Sequence, residues 1–392
     1  MRVVTKFGGT SLGSGDRIDR AANSIAGAVD AGHEVAVVAS AMGNTTDELL
    51  EDINYEASDA DRAEIVSMGE RTSVRMLKGA LAARGVEAVF LEPGSEDWPI
   101  ITDEFGEVDV EETTRRAKKL AEQMDDVVPV ITGFLAEDHD GNVTTLGRGG
   151  SDTTAVMLGN YMDADEVIIV TDVEGVMTGD PRVVEGARNV GEISVDELRS
   201  LSFRGAEVVA PSALSYKTRD LIVRVTHYQH DDLLTGGTSI EGEFQSLIDL
   251  QEQELACVTV AGRAIRNSPG ILAELSTAIA EADVNIHANS SGMDSLTFYV
   301  REDDANTVET ILHDHVIEAA ALSSVTVEAD IAVIRVTGGE LPNQPGNVKR
   351  VIDPLSEHHI TLYDVITSAT SISVFVPWDD REEALALVQD VF

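Results

Sequence analysis

Six short runs rich in valine and isoleucine punctuate the first 240 residues, at Arg2–Phe7, Glu34–Ala39, Ala88–Leu91, Val127–Thr132, Glu166–Thr171 and Leu221–Thr226. Amphipathic stretches separate several of them, at Gly15–Ala31, Asp61–Arg84, Glu111–Met124 and Asp152–Met162. Near-continuous apolar strands alternating with helices imply an α/β fold, a mostly parallel sheet covered by helices on both faces. Ligands of such sheets bind at the carboxyl ends of the strands. Lys6, Ser40, Thr132 and Thr171 all fall at strand ends of this kind.

Two glycine-rich segments sit where such a sheet would present them. Lys6-Phe7-Gly8-Gly9-Thr10-Ser11 follows the apolar Val3-Val4. Bare backbone at Gly8 and Gly9 allows N–H groups to approach a polyanion, Thr10 and Ser11 add hydroxyls, and Lys6 is a point charge suited to a phosphoryl group in transfer. Gly147-Arg148-Gly149-Gly150-Ser151-Asp152 opens the helical pattern Thr153–Met162. A helix start attracts anions and an arginine forks onto carboxylate or phosphate, although Ser151 or Asp152 would also serve as a plain cap. Neither a Walker A nor a dinucleotide-binding glycine fingerprint is present, so phosphate is handled in another way.

Two further segments carry polar groups of interest. Gly69-Glu70-Arg71 lies inside a long helical pattern, where glycine costs about 1 kcal/mol and permits close approach of another group. Glu70 is either an acceptor for a substrate ammonium or an ordinary solvated glutamate. Val170–Val176, followed by Asp180-Pro181-Arg182, reads as a strand end and a turn-rich loop suited to adenine, ribose or phosphate, or as a structural hairpin. The nine histidines lack metal-ligand spacing, and no metal site is expected.

The formal net charge of −42 arises from 70 acidic and 28 basic residues, only 6 of the latter lysine, while 43% of the chain is hydrophobic. Such an apolar fraction demands a folded core, so the acids must coat a surface that self-repels in dilute buffer and is screened by salt. This reads as adaptation to a high-salt cytosol. The same field excludes nucleic acid as a ligand. No apolar stretch reaches the roughly 20 residues of a membrane span, and a cytoplasmic protein is expected. Cys257, the single cysteine, reads as a small buried hydrophobe.

Composition changes near residue 240. An acidic connector (241–254), holding one short strand at Ser246–Leu250, separates the first domain (1–240) from two modules (255–328 and 329–392). The first module reads as strand Leu255–Ala261, Pro269-Gly270, helix Ile271–Ala282, strands Asn285–Asn289 and Ser295–Val300, helix Asp304–His315 and strand Val325–Glu328. The second repeats this with strand Ile331–Thr337, Pro345-Gly346, helix Asn347–Glu357, strands Ile360–Val365 and Ser371–Val376, and helix Arg381–Val391. Two ferredoxin-like βαββαβ modules account for the repetition.

Taken in order, Lys-Phe-Gly-Gly-Thr-Ser (6–11), Val-Ala-Ser-Ala (38–41), Gly-Glu-Arg (69–71), Thr-Thr-Leu-Gly-Arg-Gly-Gly-Ser-Asp (144–152) and Thr-Asp-Val-Glu-Gly (171–175) resemble the aspartate kinases of the amino-acid kinase superfamily. The tail resembles their paired ACT regulatory modules. The resemblance implies the amino-acid kinase fold and transfer of the ATP γ-phosphate to L-aspartate, giving 4-phospho-L-aspartate on the route to lysine, threonine and methionine. It implies that Lys6 and Asp152 are catalytic, that Gly8, Gly9 and Thr10 line the phosphates, and that Ser40, Thr46, Glu70, Arg148, Gly149, Gly150 and Ser151 form the aspartate pocket. Thr171, Asp172, Val176, Asp180 and Arg182 would meet the nucleotide, with Mg²⁺ bridging ATP oxygens. Pro269, Gly270, Asn285 and Ile286 would hold an amino-acid effector, lysine or threonine. A homodimer or larger homo-oligomer through the ACT modules is implied, as is completion of the second module by the connector strand. The alternatives are a glutamate or N-acetylglutamate kinase, or a non-catalytic amino-acid sensor. Two departures stand out. Glu207 replaces the lysine of the family's Gly-Ala-Lys-Val-Leu-His-Pro-Arg segment, and Met177 replaces a usual tyrosine.

Overall fold

The structure, a computed structural model, describes every residue except 104, 203–207, 244–246, 264, 266–267, 319–321, 339–345, 369–370 and 392, along with the side chains of 202 and 247. Glu207 and Pro345 lie outside the described residues. The chain divides into two compact units, Met1–Phe244 and Gln245–Phe392.

The strands of the first unit are β1 (Arg2–Phe7), β2 (Glu34–Ala39), β3 (Ala88–Leu91), β4 (Ile101–Thr102), β5 (Val128–Thr132), β6 (Leu135–Asp138), β7 (Val143–Thr145), β8 (Glu166–Thr171), β9 (Glu192–Ser194), β10 (Ile222–His227) and β11 (Thr238–Glu241). Its helices are α1 (Gly15–Asp30), α2 (Thr45–Asp52), α3 (Asp59–Ala82), α4 (Val110–Ala121), α5 (Gly150–Tyr161), α6 (Val195–Ser202) and α7 (Pro211–Leu214). Eight strands form one sheet in the order β3-β5-β2-β1-β8-β10-β11-β9, parallel from β3 to β10, with β11 antiparallel to β10.

Alternation along the strands sorts the core into two layers. Val3, Phe7, Val35, Val37, Ile168 and Val170 pack on one face with Ile18, Ile25, Leu77 and Leu81 of α1 and α3. Val4, Ala36, Val38, Val167 and Ile169 pack on the other with Leu120 of α4 and Ala155–Leu158 of α5. Burial on both faces is what forces the strands to read as apolar runs rather than as alternating patterns. The small sheet β4-β6-β7 and the short α2 and α7 carry too few apolar residues to have been legible as sequence patterns.

The second unit holds β12 (Leu247–Leu250), β13 (Leu255–Ala261), α8 (Ile271–Glu281), β14 (Ala288–Ser291), β15 (Ser295–Arg301), α9 (Ala305–Glu318), β16 (Ser324–Thr337), α10 (Asn347–Glu357), β17 (Asp364–Thr367), β18 (Ser371–Pro377) and α11 (Arg381–Gln389). The repeat is visible in backbone detail. Gly270 and Gly346 cap α8 and α10 with φ of 94° and 101°, and Asp283 and His359, just past those helices, both have φ of 60°.

Four readings are corrected here. The strand expected at Asn285–Asn289 begins at Ala288, because Val284 and Ile286 turn into the core of module one. The strand expected at Ile360–Val365 begins at Asp364, because Ile360 and Leu362 do the same in module two. The strands expected at Val325–Glu328 and Ile331–Thr337 are one continuous strand, β16, whose first part pairs with β13 and whose second part pairs with β18. The connector strand β12 pairs with that second part, Leu247 opposite Thr337 through Leu250 opposite Ile334. Cys257 is half-buried rather than fully enclosed, and burial raises its thiol pKa.

Candidate active site

Sheet register brings the glycine-rich segments together. Lys6 lies beside Val38 and Ile169, and Phe7, Ala39 and Thr132 end their strands level with Val170, one residue before the end of β8. Lys6 is two residues beyond Val4, so its side chain leaves on the face covered by α5. There its Nζ lies 2.7 Å from Asp152 Oδ1. The two side chains retain only 12% and 14% of their exposure, so water screens the pair weakly.

Asp152 sits in the first turn of α5, behind Gly149 in the left-handed conformation (φ 74°). Its second oxygen, Oδ2, accepts the Ala210 N–H at 3.1 Å. Ser212 Oγ lies 2.9 Å from Thr153 Oγ1, and a Cβ at Gly149 would stand 2.3 Å from Ala210 Cβ. The end of the divergent 205–212 segment is therefore packed directly on the helix that carries Asp152.

Glu70 is buried on α3, with 3% of its surface exposed. Gly69 lets α3 approach the loop after β2, since a Cβ there would stand 2.7 Å from Ala41 Cβ. The Ala41 N–H donates to Glu70 Oε1 at 3.2 Å, and Oε2 has no hydrogen-bond partner. Burial pushes the Glu70 carboxyl up to about 7, while hydrogen bonds including those of the Ala41 N–H and the Thr46 hydroxyl pull it partly back. A buried carboxyl with an unpartnered oxygen suits a cationic ligand group.

A cavity of about 870 Å³ joins these groups. Lys6, Gly9, Ser40, Thr46, Glu70, Arg148, Gly149, Gly150, Ser151 and Asp152 all line it. Thus the two glycine-rich segments open on one space. Ala41, Gly43, Asp47, Arg62 and Phe134 line it as well and were not singled out from the sequence. Arg62 carried a legible signal, a lone cation eight residues before Glu70 on the same helical pattern.

Other expected residues lie outside that lining. The Gly8 N–H is committed to Val170 C=O at 3.1 Å, so Gly8 contributes space beside Lys6 rather than a donor. Gly9, which does line the cavity, lies against the 41–43 loop, where a Cβ would come 2.7 Å from Gly43 O. Thr10 is exposed and its carbonyl accepts from the Arg17 guanidinium. Thr171 and Asp172 stand at the carboxyl end of β8, next to β1, with Thr171 Oγ1 3.3 Å from Asp172 Oδ1. Val176 is buried and its N–H donates to Thr238 Oγ1 at 2.9 Å. Arg182 forks onto Asp180 at 3.0 and 2.9 Å.

In the second unit, Pro269, Gly270 and Asn285 are exposed and Ile286 is half-buried. None of the four lines the 280 Å³ cavity of that unit, which is bordered by His287, Asn289, Arg335 and Ser373 among others. No described helix is long and apolar enough to cross a membrane.

The amino acid kinase family matches residues 1–227, and ACT domains match residues 258–316 and 326–390. The aspartokinase of Geobacillus stearothermophilus is 34% identical over 407 residues, covering 99% of this chain and 96% of that protein. The aspartate kinase structure from Synechocystis superposes with a TM-score of 0.83 at 28% identity, covering 99% of this chain and 69% of that one. Escherichia coli aspartokinase III in complex with aspartate and ADP gives a TM-score of 0.55 at 24% identity, covering both chains fully. The same enzyme with lysine and aspartate gives 0.54 at 25% identity, covering 100% of this chain and 99% of that one. The chain belongs to the amino acid kinase family, in its aspartokinase branch, with two ACT domains following the kinase domain.

Proposed function

We propose that the 870 Å³ cavity is where this aspartokinase transfers the γ-phosphate of ATP to the side-chain carboxylate of L-aspartate, giving ADP and 4-phospho-L-aspartate. The observation that carries this assignment is the Lys6–Asp152 contact at 2.7 Å inside the space that Glu70 and Arg148 also line. A carboxylate oxygen of aspartate attacks the γ-phosphorus while the bond to the β,γ-bridging oxygen breaks and ADP leaves. Lys6 stabilises the charge on the transferring group, and Asp152 fixes the lysine in place. Glu70 takes the substrate ammonium, Arg148 a substrate carboxylate, and Ser40, Thr46 and Ser151 supply further hydrogen bonds. Positioning and charge neutralisation provide the rate, since little covalent work falls to the protein.

Thr171, Asp172 and the loop through Asp180 and Arg182 meet the nucleotide in this reading, and Arg182 must exchange Asp180 for phosphate. Both oxygens of Asp152 are in contact with protein groups, Lys6 Nζ and the Ala210 N–H. That donor set fits a magnesium ion carried in by ATP oxygens, which would neutralise phosphate charge. Within the second unit, an amino-acid effector such as lysine or threonine binds near Pro269, Gly270, Asn285 and Ile286, and the ACT modules pair between copies of the chain. The domain bounds are taken as 1–240, 255–328 and 329–392, with the connector at 241–254. The acidic surface suits a salt-rich cytoplasm.

Hydroxylamine trapping of the acyl phosphate tests the reading. In molar KCl with ATP and magnesium, aspartate should yield hydroxamate, and glutamate and N-acetylglutamate should not. Hydroxamate from either rival substrate alone, or from none, overturns it.

A further inference from the structure

The cavity of about 280 Å³ in the second unit is built by strand alternation. Ala332, Ile334 and Val336 of β16 pack with Val351 and Leu355 of α10 and with Ala384 and Val388 of α11. Val333 and Arg335, between them in sequence, therefore turn to the opposite face. On that face Val333 stands opposite Phe375 of β18, and Arg335 stands opposite Ser373. Module one closes the space. Tyr299 stacks on Phe375 at 4.0 Å, Ala288 lies opposite Tyr299, and Leu255 and Ala288 both line the cavity.

The lining changes character along the paired strands. Val333 and Phe375 give way to Arg335 and Ser373 two residues farther, a shift of about 7 Å. One end is thus apolar and the other cationic and hydroxyl-bearing. Seventy of the 392 residues are acidic, yet no Asp or Glu lines this cavity. Besides Arg335, the only ionisable residue of the lining is His287. Arg335 is exposed and forms no ion pair among the described residues, and Asp249, opposite it on β12, stays beyond ion-pair distance.

We propose that this cavity is a ligand site for a small carboxylate with a short aliphatic tail and no amino group. The carboxylate pairs with the Arg335 guanidinium beside the Ser373 hydroxyl, and the tail lies against Val333, Ile366 and Phe375. The volume falls just under the roughly 300–1,000 Å³ of pockets for drug-sized ligands, so the occupant is small. An amino acid would bring an ammonium that meets a guanidinium and finds no carboxylate in the lining, which is unfavourable. The site is therefore distinct, in place and in chemistry, from an amino-acid effector site at Pro269, Gly270, Asn285 and Ile286, and it does not rest on the kinase reading.

Saturation-transfer NMR titrations of the full chain in molar KCl test this with three probes of one shape. These are 4-methylpentanoate, its neutral amide, and L-leucine, which adds an ammonium to the same skeleton. The wild type should bind 4-methylpentanoate most tightly, with the amide and leucine each about three- to fivefold weaker, the upper range for one exposed ion pair. Arg335→Gln should weaken the acid by that factor and leave the amide within about twofold, because the lost partner is already absent from that ligand. Arg335→Lys should restore part of the loss. Ser373→Leu, which fills the cavity from its floor, should abolish binding of acid and amide alike, with calorimetry confirming that the variant melts cooperatively. The proposal is overturned by leucine binding as tightly as the acid, by equal effects of Arg335→Gln on acid and amide, by acid binding that survives Ser373→Leu, or by no binding of the acid to the wild type.

Discussion

Asp152 accepts the backbone N–H of Ala210 at 3.1 Å, and this bond ties the start of α5 to the segment that precedes Pro211. The other oxygen of the same carboxylate holds Lys6 at 2.7 Å. One side chain therefore sets the lysine against a loop whose sequence departs from the family pattern.

Asp152→Asn should keep an oxygen for the Ala210 N–H and lose the charge that fixes Lys6. Turnover should fall about 10²- to 10³-fold, the usual scale for losing one preorganised electrostatic contact. Thermal stability should fall as well, because Asn leaves the weakly screened Lys6 ammonium without its counter-charge. Lys6→Ala should lose at least as much. Steady-state hydroxamate formation checks both variants, and a loss under tenfold in each would remove the pair from the transfer step.

The Glu70 carboxyl gives a pH signature. Its value in the folded chain is about 7 against 4.5 in the unfolded chain. Between those values the native state holds a proton that the unfolded state has released. The stabilisation from neutral Glu70 is complete below about 4.5 and is lost as pH rises through 7. Glu70→Gln should therefore raise the melting temperature at pH 8, by a free energy on the order of 2–3 kcal/mol, and change it little at pH 4.5. Aspartate binding should strengthen with pH through about 7 in the wild type, and this dependence should vanish in the variant.

Gly69→Ala tests the contact between α3 and the loop after β2. The added methyl would need to sit 2.7 Å from Ala41 Cβ, so helix and loop must separate. A destabilisation of about 1–3 kcal/mol in denaturant titration is expected from overpacking. KM for aspartate should rise in parallel, because Ala41 supplies the N–H bound to Glu70.

Salt should separate the acidic coat from the site. With 70 acidic residues against 28 basic ones, lowering KCl from molar to about 0.05 M lengthens the screening distance several-fold and unmasks self-repulsion. The melting temperature should fall steeply over that range. An unchanged melting temperature in differential scanning calorimetry would contradict adaptation to high salt.

In the second unit, Tyr299 stacks on Phe375 with ring centroids 4.0 Å apart, and its hydroxyl donates to Asp364 at 3.1 Å. Leu255, Ile331 and Val333 complete this small cluster between strands of the two modules. Tyr299→Phe should cost about 1 kcal/mol, one hydrogen bond, while Phe375→Ala should cost about 3–5 kcal/mol and loosen the modules from each other. Chemical denaturation followed by circular dichroism distinguishes the two magnitudes.

The parallel sheet and the cavity walls were legible because both depend on side chains. Val and Ile runs reveal doubly buried strands, and Lys6, Glu70, Arg148 and Asp152 advertise their chemistry. Ala210 was not legible, since it acts through a backbone amide that any residue but proline possesses. Phe134 and Ala41 form walls that only the tertiary arrangement creates. The displaced starts of β14 and β17 have a common cause. Apolar residues entering a core after a left-handed turn imitate strand alternation, as Val284 and Ile286 do after Asp283 and as Ile360 and Leu362 do after His359.

The continuous β16 makes the two ACT modules inseparable as folding units. Within a single seven-stranded sheet, residues 324–328 pair with β13 of one module and 331–337 with β18 of the other. A chain cut behind the first module would strip β12 of the neighbour it pairs with among the described residues and leave the torn end of β16 as a sticky ribbon. Evolution can therefore tune, duplicate or discard this tail only as a pair, and a distortion of either half is inherited by its twin through an unbroken backbone.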